Sequence, residues 1–141
     1  MTLPSGLPVE VAENEPLARF IRQKSQYKPS TLQVRGVLFM PPRDATELSV
    51  SRVGALSDPA IEELGRSVVL QAGNSLKGWC ILIADKVRSI RKFGVVSDEP
   101  DDHHFYHAHI TGFPVEKSEL MEAADDLAEA ASLVTLVRDI T

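Results

Sequence analysis

Two stretches of strict alternation constrain this chain more than any other feature. Glu47–Val53, ELSVSRV, sets Leu48 and Val50 on one side of an extended backbone and Ser49 and Ser51 on the other. Phe105–Phe113 puts Tyr106, Ala108, Ile110 and Gly112 on one side, and Phe105, His107, His109 and Thr111 on the other. A period of two requires a sheet with one buried face, so the chain must supply pairing partners and a covering layer.

Further strand signals are present. Leu32–Met40, LQVRGVLFM, is stopped by Pro41-Pro42, and the turn-forming PPRDAT that follows predicts an antiparallel pair with Glu47–Val53. The apolar run Trp79–Ile83 reads as a central strand and Val95-Val96 as a brief one. Helical signals alternate with these. Residues 17–26 read as a short helix burying Leu17, Phe20 and Ile21, with Arg19, Arg22 and Lys24 outward and Pro29 ending it. Ser57-Asp58-Pro59 starts a helix whose stripe is Ile61, Leu64, Val68 and Ala72, stopped by Gly73-Asn74. Ala84–Lys92 is a shorter one with Val87 and Ile90 inward. The clearest helix is Lys117–Val137, with Leu120, Ala124, Leu127, Ala131 and Val134 on one face, Glu122, Asp125, Asp126 and Glu129 on the other, and Ser118 as its cap.

The mixed order predicts a single α+β domain over residues 16–141. Its sheet is mostly antiparallel, its helices pack on one face, and a long amphipathic helix ends it. Residues 1–15, with two prolines and three glutamates, read as a flexible arm that Leu3, Leu7 and Val9 could dock. A length of 141 residues suits one core, and a net charge of −5 with no long apolar run argues against membranes and generic nucleic-acid binding. The exception is the basic segment 19–43, where Arg19, Arg22, Lys24, Lys28, Arg35 and Arg43 have no acid among them. The lone cysteine, Cys80, excludes an internal disulfide and fits a cytoplasmic setting, as an inert buried thiol.

All four histidines, His103, His104, His107 and His109, fall with Asp98, Glu99, Asp101 and Asp102 into twelve positions. His107 and His109 share a strand face, where neutral imidazole can act as a metal ligand or as an acid–base group. Three chemistries follow. His107, His109 and Asp102 could hold a divalent metal such as zinc. His107, His109 and Thr111, with Arg52 as an anion clamp, could serve a hydrolase or transferase acting on a phosphorylated or nucleotide-like substrate. Or the histidines are surface or structural. The histidine-triad and two-histidine phosphoesterase patterns do not fit, since the third alternating position is Thr111 and no second His-x-Thr strand exists.

Lys28-Pro29, Phe39-Met40-Pro41-Pro42, Glu47–Arg52 and His107–Pro114 together resemble blocks in small bacterial proteins of unknown function, over about residues 17–134. The resemblance implies no activity. It pairs Arg52 with the His107 stretch as the polar elements of otherwise apolar strands. The leading functional expectation is therefore a small soluble bacterial interaction module, which would use its segregated charge and its arm to bind a protein partner or a second copy.

Overall fold

In a computed structural model, which describes residues 2–71, 73–99 and 105–137, the chain is organised around a six-stranded sheet. The strands are β1 (Pro16–Ile21), β2 (Glu47–Arg52), β3 (Gly78–Ile83), β4 (Gly94–Ser97), β5 (His107–Thr111) and β6 (Thr135–Leu136). They lie in the order β4-β5-β2-β1-β3-β6, and each neighbouring pair is antiparallel. The helices are α1 (Asp58–Gln71), α2 (Ala84–Ser89) and α3 (Lys117–Ala130), with 3-10 turns at Lys24–Gln26 and Gly36–Phe39. The expected α+β domain, with its antiparallel sheet and C-terminal helix, is what forms. No helix among the described residues is long and apolar enough to cross a membrane.

Alternation sorts the sheet into two faces. Leu17 and Ile21 of β1, Leu48 and Val50 of β2, Leu82 of β3, and Ala108 and Ile110 of β5 join the main core. Val87 of α2, Ala123, Ala124 and Leu127 of α3, and Leu38 and Phe39 of the second 3-10 turn close over it. Each fully buried Leu or Ile there is worth about 1.5–3 kcal/mol. Ala18, Phe20 and Trp79 project from the other face, and Ile61 and Val69 of α1 pack on them. So α2 and α3 cover one face, and α1 covers part of the opposite one. Gly65 permits that approach, since a Cβ there would stand 2.7 Å from the Phe20 ring.

Several local expectations give way. Residues 17–26 do not form a helix; β1 runs through Ile21 and pairs with both β2 and β3. A strand covered on both faces reads as nearly continuous apolar sequence, so Leu17, Phe20 and Ile21 also matched a helical stripe. Gln26 closes the strand, its Oε1 accepting from the Arg22 and Gln23 amides at 2.7 and 3.1 Å. Leu32–Met40 is not a strand either. The 3-10 turn at Gly36–Phe39 sends Leu38 and Phe39, adjacent in sequence, into one core, which a strand cannot do. The partners of β2 are therefore β1 and β5, and not that segment.

The helices start and stop for identifiable reasons. The Ser57 hydroxyl accepts from the Ala60 amide at 3.4 Å, and Gly73, at φ 78°, ends α1, the Gly73 amide donating to the Leu70 carbonyl and the Asn74 amide to the Val69 carbonyl. Its buried stripe runs through Ile61 and Val69, while Val68 is exposed. Glu116, and not Ser118, caps α3 by accepting from the Ser118 and Glu119 amides. That helix ends at Ala130, and the chain returns as β6 along β3.

Two further features position the site. First, β1 and β2 are paired only at Leu17–Arg52 and Ala18–Ser51, with the Val53 amide reaching Pro16 beyond them. Past Ala18 the strands part, and Arg19 fills the seam, donating to the Leu38 and Ser49 carbonyls at 3.0 Å each. Second, the N-terminal segment lies along the main-core side, held by the buried Val11 and by polar bonds from Arg52 and Ser97. Leu3 and Leu7 are only half-buried and Val9 is exposed.

Candidate functional site

β5 carries the histidines because its two neighbours fix its register. Ser51 lies opposite His107, Ser49 opposite His109 and Glu47 opposite Thr111; on the other side Val96 lies opposite His109. Ala108 and Ile110 point into the core and are fully buried, so His107, His109 and Thr111 are left half-buried on the face that α1 only partly covers.

The entry to β5 is tightly held. Tyr106 sits at φ 67°, a left-handed conformation that disfavours a residue with a Cβ. Its amide donates to Glu99 Oε1 at 2.5 Å, and its carbonyl accepts from the Arg52 amide at 2.6 Å. Both peptide groups flanking the strained residue are therefore fixed, and with them the direction in which His107 leaves the turn. Glu99 is itself buried, and its second carboxylate oxygen has no partner among the described residues.

The Asp98 amide bonds the His107 carbonyl at 3.0 Å, extending the β4–β5 ladder by one residue and placing Asp98 beside the histidines. Asp98 Oδ2 is 3.3 Å from His109 Nδ1 and 3.6 Å from His107 Nδ1. The Asp98 carbonyl lies 3.0 Å from His107 Nδ1, and a His107 that donates there carries its lone pair on Nε2. Glu47 Oε2 is 3.5 Å from His109 Nδ1. The two rings meet edge to face, with centroids 4.6 Å apart and planes at 78°. One donor atom each from Asp98, His107 and His109 lies within 4.8 Å of the other two.

Of the residues singled out from sequence, His107 and His109 come together, and Thr111 lies one pair further along the same face beside Gly94. Asp101, Asp102, His103 and His104 lie outside the described residues; among the described carboxylates Asp98 meets both histidines and Glu47 meets His109. Arg52 is not brought to them. It shares its parity on β2 with Leu48 and Val50, so it projects from the main-core face, 1% exposed. There its Nε and Nη2 hold both oxygens of Glu15, and Nη1 donates to the Pro8 carbonyl at 2.7 Å. Its guanidinium fastens the N-terminal segment and clamps no anion beside His109. Cys80 is fully buried, and burial pushes its thiol up to about 12, which removes it as a nucleophile.

Between α1 and the floor formed by β1, β2 and β5 runs a groove of about 320 Å³. Ala18, Phe20, Ser49, Ser51 and His107 line its floor, Leu64, Ser67 and Val68 its α1 wall, and Arg22 and Phe105 also border it. His107 thus faces both the groove and the Asp98–His109 cluster. Comparison of the chain with protein-family models, with curated proteins and with solved structures finds no match.

Proposed function

We propose that this chain is a metal-binding domain that holds one divalent, zinc-like ion through Asp98, His107 and His109. The observation behind it is the convergence of two imidazoles of β5 with the carboxylate of Asp98, just past the end of β4, their donor atoms within 4.8 Å. Bonds of about 2.0–2.2 Å to a tetrahedral zinc put neighbouring donors roughly 3.3–3.6 Å apart. Asp98 Oδ2 and His109 Nδ1, at 3.3 Å, stand at that spacing. The contact between the Asp98 carbonyl and His107 Nδ1 is the kind of outer bond that orients a ligating ring. Nitrogen and oxygen donors without thiolate favour zinc or a neighbouring first-row ion over copper(I) or an iron–sulfur cluster.

Among the described residues three ligands converge, and a centre held by three protein ligands keeps a coordination position for water, as catalytic zinc does. We extend the proposal to hydrolysis of a substrate in the adjoining groove, with Glu47 the next carboxylate in reach among the described residues. The alternative of an interaction module has less behind it. Arg19 and Arg35 donate to carbonyls of their own chain, and the arm's Pro8 carbonyl is taken by Arg52.

Elemental analysis of protein made without a histidine tag, in medium supplemented with zinc, manganese and iron, tests the reading. One ion per chain is expected, lost in Asp98→Asn and His109→Ala. Metal-free wild-type protein that also fails to take up added zinc contradicts it.

A further inference from the structure

The groove carries a second piece of chemistry that the metal centre does not use. Arg22 borders it and makes no ion pair among the described residues, although the chain has an excess of acids. Arg19 lies three residues away in the seam at the groove floor, close enough that the Arg22 charge bears on its guanidinium. Its Nε and Nη1 donate to carbonyls, which do not cancel its charge. Two cations thus adjoin one groove with no carboxylate among its lining residues. The hydroxyls of Ser49, Ser51 and Ser67 also make no hydrogen bond with described residues, and Ser51 is buried. The remaining walls are apolar: Phe20 on the floor, Leu64 and Val68 on α1, and Phe105.

We propose that this groove is a binding site for a small organic anion with a flat apolar body, its charged group met by Arg22 and its body lying between Phe20, Leu64 and Val68. A volume of about 320 Å³ holds a ligand of one ring and its substituents, at the small end of ligand pockets. Guanidinium is suited to carboxylate and phosphate alike, because its paired N–H groups match two oxygens of either. Ser49 and Ser51 add donors along the floor, and the partly exposed Val68 closes the wall without filling the space. The anion-binding end depends on Arg22 and on none of Asp98, His107 and His109, although His107 lines the same floor.

Amide chemical-shift titration of chelator-treated protein tests this, with phenyl phosphate and phenylacetate as probes and phenol and inorganic phosphate as controls. One or both of the aromatic anions should saturate, moving the amides of Phe20, Ser49, Ser51 and Val68, and the stronger identifies the anionic group as phosphate or carboxylate. Phenol and inorganic phosphate should each bind more weakly than the preferred anion. Arg22→Gln, a change at a partly exposed side chain, should weaken that anion about tenfold or more. Val68→Glu, which sets a like charge in the wall, should do the same. No saturable binding by either aromatic anion, or undiminished binding by both variants, overturns the proposal. Because chelator is present throughout, a failed metal reading leaves this result unchanged.

Discussion

Arg52 and Glu15 are the pair on which the N-terminal segment depends. The arginine is 1% and the glutamate 12% exposed, and the contact is bidentate. Removing one member of a buried pair leaves the other uncompensated, at a cost of about 3–5 kcal/mol. Glu15→Ala should therefore lower the urea midpoint by an amount corresponding to that loss. Arg52→Met combined with Glu15→Met should recover part of it, and not all, because Arg52 also holds the Pro8 carbonyl. A Glu15→Ala protein as stable as wild type contradicts this account of the clamp. The parity that takes Arg52 away from the histidines was already present in ELSVSRV, where positions 48, 50 and 52 share a side. Sequence blocks that pair Arg52 with the His107 stretch carry no information about which face each residue occupies.

At the scale of elements, α3 offers the cleanest pH test. Hydrogen bonds from the Ser118 hydroxyl, the Ser118 amide and the Glu119 amide hold the Glu116 carboxyl below the usual carboxylate range. A group whose folded pKa is depressed contributes stability that is fully present above its unfolded pKa and is lost as pH falls through its folded pKa. The difference in melting temperature between wild type and Glu116→Ala should therefore be largest at neutral pH and shrink as the pH falls through and below the ordinary carboxylate range. A difference that stays constant across that window would show that the cap is not electrostatic. The elements also show why some of this fold was legible and some was not. Half-buried strands such as β5 display their alternation, so the face bearing His107 and His109 could be read directly. β1 is covered on both sides, shows no period, and passes for a helix. Spacing put Asp98 among the four acids of the cluster but could not single it out, because its place beside His109 depends on how β4 and β5 are paired.

At the scale of the whole molecule, the sheet divides labour between its faces. One face, closed by α2, α3 and the N-terminal segment, holds the main core and the buried Arg52–Glu15 pair. The other, with α1 over only part of it, leaves the serines and histidines of β2 and β5 beside a groove. Net charge and composition could not have indicated this asymmetry, since it arises from the strand order β4-β5-β2-β1-β3-β6. A metal at Asp98, His107 and His109 would tie edge strand β4 to β5, and an ion bound only by the folded chain raises stability by about 2.7 kcal/mol at a hundredfold excess over its Kd. The most direct test of that centre is calorimetric titration of zinc into chelator-stripped, untagged protein, beside His109→Ala and Asp98→Asn. One saturable site per chain is expected in wild type, and its loss in both variants. Absence of saturable heat in wild type, or an unchanged isotherm in the variants, would contradict it.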